Sequence, residues 1–235
     1  MVCYPMPLNV LEDTIKYKFN DLAILKTALT HSSYSNEHKS ENCKCNERLE
    51  FLGDSVLSII VSKYLFKKYD KRPEGELTKI RASVVCTRTL SKLADKIKLG
   101  DYLCLGKGEE ETGRTNVKIL ENAFEALLAA IFIDSENSID TVSKFLLPLI
   151  VPEIEVASKD VIGHDYKTTL QQFIQSQGTD RIQYVCINES GPDHAKTFEV
   201  VAKLNSNVIG CGIGKTKREA EQNAAKEALD LFDVK

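Results

Sequence analysis

The stretch Asn46-Glu47-Arg48-Leu49-Glu50-Phe51-Leu52-Gly53-Asp54-Ser55-Val56-Leu57-Ser58-Ile59-Ile60-Val61-Ser62-Lys63-Tyr64-Leu65-Phe66 decides the fold. Its apolar residues recur at helical spacing, and it carries Glu47, Glu50 and Asp54 inside the same run. Carboxylates are costly to bury unless they are paired or hold a metal. On a helix with Glu47 at the origin, Glu50 falls at about −60° and Asp54 at about −20°, so the three acids share one narrow arc. Leu49, Leu52, Val56, Ile59 and Ile60 gather at roughly 120° to 220°, which reads as the core face. Phe51 lies near 40°, beside the acids and off that stripe. An aromatic there needs another surface, and a partner subunit is the natural one.

A second helical run, 118–133, places Asn122 and Glu125 three residues apart on one face. Ala126 and Ala129 flank that face and would admit a close neighbour. If the two helices pack side by side, Glu50, Asp54, Asn122 and Glu125 converge. Uncompensated like charges do not stay ionised at such a spot, whereas a hard cation such as Mg²⁺ prefers carboxylate and water oxygens. The spacing leaves two readings open: a solvated acidic helix face, or a cation site able to activate water and stabilise a leaving oxygen.

Outward from these helices the pattern stays helical to about residue 150. Loops are expected at 36–45, 70–76 and 106–117. Segment 153–164, with weak periodicity and a glycine, is expected to be a linker between a first domain, 1–152, and a second, 165–235. In the second the order is helix 166–177, strands 182–190, 196–205 and 208–214, and helix 217–232 opening after Thr216. The fold class is therefore an all-α domain followed by a small α+β domain of α-β-β-β-α order. No internal repeat or low-complexity tract stands out.

Bulk properties bound the function. A net charge of −3 over 235 residues announces no nucleic-acid binder, so any such role rests on local basic groups. Seven scattered cysteines show no disulfide framework. Cys43 and Cys45 with His38 have half the donors of a zinc site, and a reduced loop is the preferred reading. No run is long enough to span a bilayer and the start lacks a signal-peptide pattern, so the expected compartment is the cytoplasm.

The run 46–66 closely resembles the signature segment of ribonuclease III. "PEGELTKIRASVV" (73–85), "LGKGEEETG" (105–113) and "NAFEALLAAIFID" (122–134) follow in that family's order. The C-terminal segment resembles the double-stranded RNA-binding domain these enzymes carry. The likeness extends from about Leu11 to Phe232. It implies a homodimeric Mg²⁺-dependent endonuclease of double-stranded RNA, with Mn²⁺ able to substitute and no nucleotide cofactor. It implies 5′-phosphate and 3′-hydroxyl products, and roles in processing ribosomal precursors and structured transcripts. By resemblance, Glu50, Asp54, Asn122 and Glu125 are the metal positions, and Asp54, Glu125, Glu47 and Glu74 the catalytic acids. Glu47 and Glu74 would make RNA or cross-subunit contacts, and Phe51 would plug into the partner subunit.

One position departs from the family: Asn122 stands where Asp is usual. An amide oxygen can bind Mg²⁺ without supplying charge. Glu121, next door and at i,i+4 to Glu125, would compensate only in part because it points about 100° away from Asn122. The rival expectation is a duplex-RNA-binding dimer that cuts little or not at all. A third reading, an acidic helical phosphatase or nucleotide hydrolase, leaves the second domain without a role.

Duplex RNA is read mainly by shape, through minor groove, phosphates and 2′-hydroxyls. The second domain offers three contacts. Thr168, Gln171 and Gln172 line its first helix, His194 sits in "GPDHAK", and Lys215, Thr216, Lys217 and Arg218 open the last helix, where the dipole favours phosphate. Lys226 would add to them. Taken singly, each is also an ordinary polar surface residue. No base-stacking aromatic stands among them, which disfavours single-strand recognition.

Overall fold

The computed structural model describes residues 5–41, 43–162, 166–178, 181–192 and 196–233, without the side chains of 41 and 160–162. The chain divides into two units, Met1–Ala157 and Ser158–Lys235.

The described part of the first unit is helical: α1 (Leu8–Ile15), α2 (Leu22–Ala28), α3 (Ser32–Glu37), α4 (Glu47–Lys68), α5 (Glu74–Val84), α6 (Thr87–Lys96), α7 (Val117–Asp134) and most of α8 (Ile139–Ile162). At its centre lies α7. Ile119, Leu120, Ala123, Phe124, Ala126, Leu127, Leu128, Ala129, Ala130 and Ile131 are all buried, so the helix is covered on every side. Asn116 caps it by accepting from the Lys118 and Ile119 amides at 2.9 and 3.3 Å. At its other end the Asp134 carboxylate accepts from the Tyr17 hydroxyl at 2.7 Å and from the Asn20 and Asp21 amides at 2.9 and 2.8 Å.

Helices α2, α4 and α6 pack on α7. The α4 contact is the closest, because a methyl group on Gly53 would overlap the backbone carbonyl of Glu125. Only glycine lets the two backbones approach so far. This contact rotates the buried arc of α4 toward the acids: Gly53, Leu57 and Val61 are buried, whereas Ile59, expected in the core, is 53% exposed.

Segment 153–164, expected as a linker, is helical as far as Ile162, a continuation of α8 through Pro148 and Pro152. Val142, Leu146, Ile150 and Ile154 are fully buried, and their four-residue spacing carries the helix across both prolines. Helix α5 also starts inside the loop expected at 70–76, with Pro73 in extended conformation just before it.

The second unit holds α9 (Tyr166–Gln177), β1 (Ile182–Ser190), β2 (Thr197–Leu204), β3 (Asn207–Gly214) and α10 (Lys217–Leu231). The strands form one antiparallel sheet in the order β1-β2-β3. Leu170 and Ile174 of α9, Val200 and Ala202 of β2, Ile209 of β3, and Ala220, Ala224, Ala225, Ala228 and Leu229 of α10 build its core. Alanines on α10 meet glycines on β3: a methyl on Gly212 would overlap the backbone of Ala220 and Ala224.

Candidate active site and RNA-binding surface

The α4–α7 contact brings the acids of the two helices together. Glu50 and Asp54 flank Gly53 on α4, and Gly53 abuts Glu125 on α7. Glu125 is 7% exposed. Desolvation pushes its carboxyl up to about 8, and the charges of Glu121, Asp54 and Glu50 add to that while Lys118 opposes it. Burial also raises Glu50, against the pull of Lys118 and with added pressure from Glu121 and Glu47. Asn122, one turn before Glu125, has a buried side-chain oxygen with no hydrogen-bond partner in the structure.

These residues suit a hard divalent cation in kind. Crowded carboxylates share the Lys118 ammonium as counter-charge, and a buried amide oxygen lacks a donor. Among the described residues no three Asp, Glu, His or Cys side chains close into a ready-made ligand set. Like charges with no cation between them stand apart rather than converge.

The remaining expected acids lie differently. Glu47 opens α4, is exposed, and acts electrostatically on Glu50. Glu74 opens α5, accepts from Thr78 Oγ1 at 2.7 Å, and is not among the charges acting on Glu50 or Glu125. It lines a separate hollow with Ser62, Leu65, Phe66, Leu77 and Arg81. Phe51 is 80% exposed beside a hollow of about 1060 Å³ lined by Ile24, Thr27, Cys43, Leu52 and Ile133 among others. Sequence periodicity missed that exposed Ile59 and Phe66 lie within about 80° of Phe51 on α4, forming one uncovered apolar stripe. It also missed Lys118, although its three-residue spacing from Glu121 signals the ion pair they form at 2.7 Å. The possible half-site at His38, Cys43 and Cys45 is engaged in local contacts: His38 stacks on Tyr34, and Cys45 Sγ donates to Glu47.

In the second unit Thr168, Gln171 and Gln172 are exposed on α9, and Lys215, Thr216, Lys217 and Arg218 are exposed at the start of α10. His194 lies outside the described residues. Thr216 caps α10, its hydroxyl accepting from the Glu219 amide at 3.1 Å. Lys217 pairs with Glu189 of β1 at 2.5 Å and sits over the Phe198 ring, a partnership the sequence did not signal. Lys226 lies over the Tyr166 ring.

Residues 21–154 match the family model described as "Ribonuclease-III-like", and residues 166–231 match "Double-stranded RNA binding motif". The pairing of that helical unit with that α+β unit defines an endoribonuclease equipped to bind double-stranded RNA. Ribonuclease 3 of Clostridium tetani is 46% identical over 230 residues, covering 97% of this chain and 96% of its own. Ribonuclease 3 of Caldanaerobacter subterraneus is 47% identical over 228 residues, covering 97% and 99%. The crystal structure of the nuclease domain of ribonuclease III from Campylobacter jejuni superposes with a TM-score of 0.56 at 36% identity, over 62% of this chain and 95% of that one. The chain belongs to the ribonuclease III family, whose members depend on a metal ion.

Proposed function

We propose that this chain cleaves double-stranded RNA by Mg²⁺-dependent hydrolysis of phosphodiesters, with Mn²⁺ a workable substitute. It leaves 5′-phosphate and 3′-hydroxyl ends and acts on ribosomal precursors and structured transcripts in the cytoplasm. The observation that supports this reading is the Gly53–Glu125 contact, which packs the helix carrying Glu50 and Asp54 against the helix carrying Asn122 and a desolvated Glu125. Those four residues would hold the cation, whose chemistry is to activate water and steady the leaving oxygen. The chain's own part is to desolvate the site and fix the acids on two rigid helices. Glu47 and Glu74, standing apart on the same unit, are proposed to contact RNA or a partner's site.

The working form is a homodimer. The exposed stripe of Phe51, Ile59 and Phe66, with Phe51 at a hollow large enough to take an aromatic ring, supports a self-complementary two-fold interface. Exposed Thr168, Gln171, Gln172, Lys215, Thr216, Lys217 and Arg218 are proposed to grip the duplex, with His194 reaching the minor groove. Residues 1–152 and 165–235 serve as catalytic and binding domains joined through 153–164.

Incubating the purified protein with long duplex RNA, with Mg²⁺ or with a chelator, tests the reading. Cutting in Mg²⁺ alone, with a 5′-phosphate on the products, is expected. Stable retention of intact RNA, converted to cutting by Asn122→Asp, would replace it with a binding-only role.

A further inference from the structure

The residue beside the departure from the family pattern stands one turn before Glu125, at i,i+4 and about 40° from it around α7. Glu121 follows Leu120 toward the interior and is only 8% exposed, although α7 turns about 100° between it and Asn122. Its carboxylate is the leading charge acting on Glu125 and is among those acting on Glu50. Its i,i+4 spacing to Glu125 and its burial put it on the side of α7 where Glu125 meets Gly53 of α4. Its one ion-pair partner among the described residues is Lys118, at 2.7 Å. The Lys118 ammonium also acts on Glu50 and Glu125, so a single cation serves three carboxylates.

Replacing Asp by Asn at 122 removes one negative charge from a hard-cation site, and the number of charged oxygen ligands sets affinity for such ions. A buried carboxylate one residue away restores that number. Meanwhile the Asn122 oxygen stays buried and unpartnered, a neutral ligand position awaiting a donor or a cation. We propose that Glu121 supplies the metal centre with the charge Asn122 withholds, and that Lys118 holds it in reserve until a divalent cation displaces the ammonium. This rests on the metal-centre reading above.

The test is Mn²⁺ binding to the full chain without RNA, measured by calorimetry and by the electron paramagnetic resonance of the free ion. Glu121→Gln is expected to weaken Mn²⁺ binding about 10- to 100-fold. Adding Asn122→Asp to Glu121→Gln should return the affinity to within about twofold of wild type. Lys118→Met, at a position whose side chain is 64% exposed, should tighten binding roughly two- to fivefold. Melting in chelator checks that each variant folds, and should Glu121→Gln not fold, the Lys118→Met result decides. Wild-type affinity in both Glu121→Gln and Lys118→Met overturns the proposal. If Glu125→Gln abolishes Mn²⁺ binding while those two change nothing, the proposal alone falls. If wild type and Glu125→Gln bind Mn²⁺ alike, or neither binds, the metal-centre reading falls with it.

Discussion

Gly53→Ala separates two effects of opposite sign. In an exposed helix interior, alanine in place of glycine stabilises by about 1 kcal/mol. Here the added methyl would overlap the Glu125 carbonyl oxygen, whereas real Cβ contacts essentially never fall below 3.0 Å. The obstacle is backbone on a helix buried on all sides, so no side chain can swing away; α4 must retreat by about an ångström. Overpacking of this kind costs about 1–3 kcal/mol, and a rigid backbone obstacle belongs at the upper end. The net loss is about 1–2 kcal/mol, or roughly 2–8 °C in melting temperature for a domain of this size. The same retreat carries Glu50 and Asp54 away from Glu125, and a misplacement of about 1 Å is worth around 100-fold in rate. Thermal unfolding by circular dichroism reads the first quantity, and single-turnover cleavage of a duplex RNA reads the second. A variant as stable as wild type that cuts at the wild-type rate would refute the claim that this contact assembles the site.

Other consequences are separable. Asp134→Asn removes a charged acceptor of the Tyr17, Asn20 and Asp21 donors and should cost about 1–3 kcal/mol at neutral pH, read by denaturant unfolding. Burial alone would raise the Asp134 carboxyl, but the hydrogen bonds from Asn20, Tyr17 and Asp21 hold it below its ordinary value. With the folded value depressed, that stability is fully present above the ordinary carboxylate range and is lost as pH falls through the lowered value. The gap between variant and wild type should therefore shrink below about pH 4, and a gap constant with pH would remove Asp134 as the cause. Phe51→Ala should weaken self-association by about 2–4 kcal/mol in sedimentation equilibrium, and an unchanged dimer constant would place the interface elsewhere. Replacing Lys217 and Arg218 together with alanine should weaken duplex-RNA binding and lower the salt dependence by about two phosphate contacts. An unchanged salt slope would exclude them from the interface.

Much of this was legible because local pattern and tertiary role coincide. The α-β-β-β-α order could be read from alternation and glycine spacing, and the structure follows it within a residue or two. Helical angle put Glu47, Glu50 and Asp54 on one arc of α4 and Asn122 with Glu125 on one face of α7, and both helices are regular through the contact; the cation reading itself came from the family resemblance. What periodicity hid depends on which neighbour wins a face. Ile59 was assigned to the core because it is apolar, but the Gly53 approach turns α4 and leaves it outside. The continuity of α8 was masked by Pro148 and Pro152, whose local preference loses to four buried apolar residues. Glu121 was read at i,i+4 to Glu125 but about 100° from Asn122; its burial comes from the close packing around α7, which no single-helix projection contains. The Lys217–Glu189 pair joins residues far apart in sequence, so only the assembled sheet reveals it.

The most direct test of the central claim compares Glu125→Gln with wild type on one duplex RNA in saturating Mg²⁺, measuring binding by filter retention and cutting by gel. The buried carboxylate at the α4–α7 contact is held to serve the cation and not the RNA. Retained binding with cleavage lost by a factor of at least about 1000 is the expected result. Cleavage within about tenfold of wild type would contradict it.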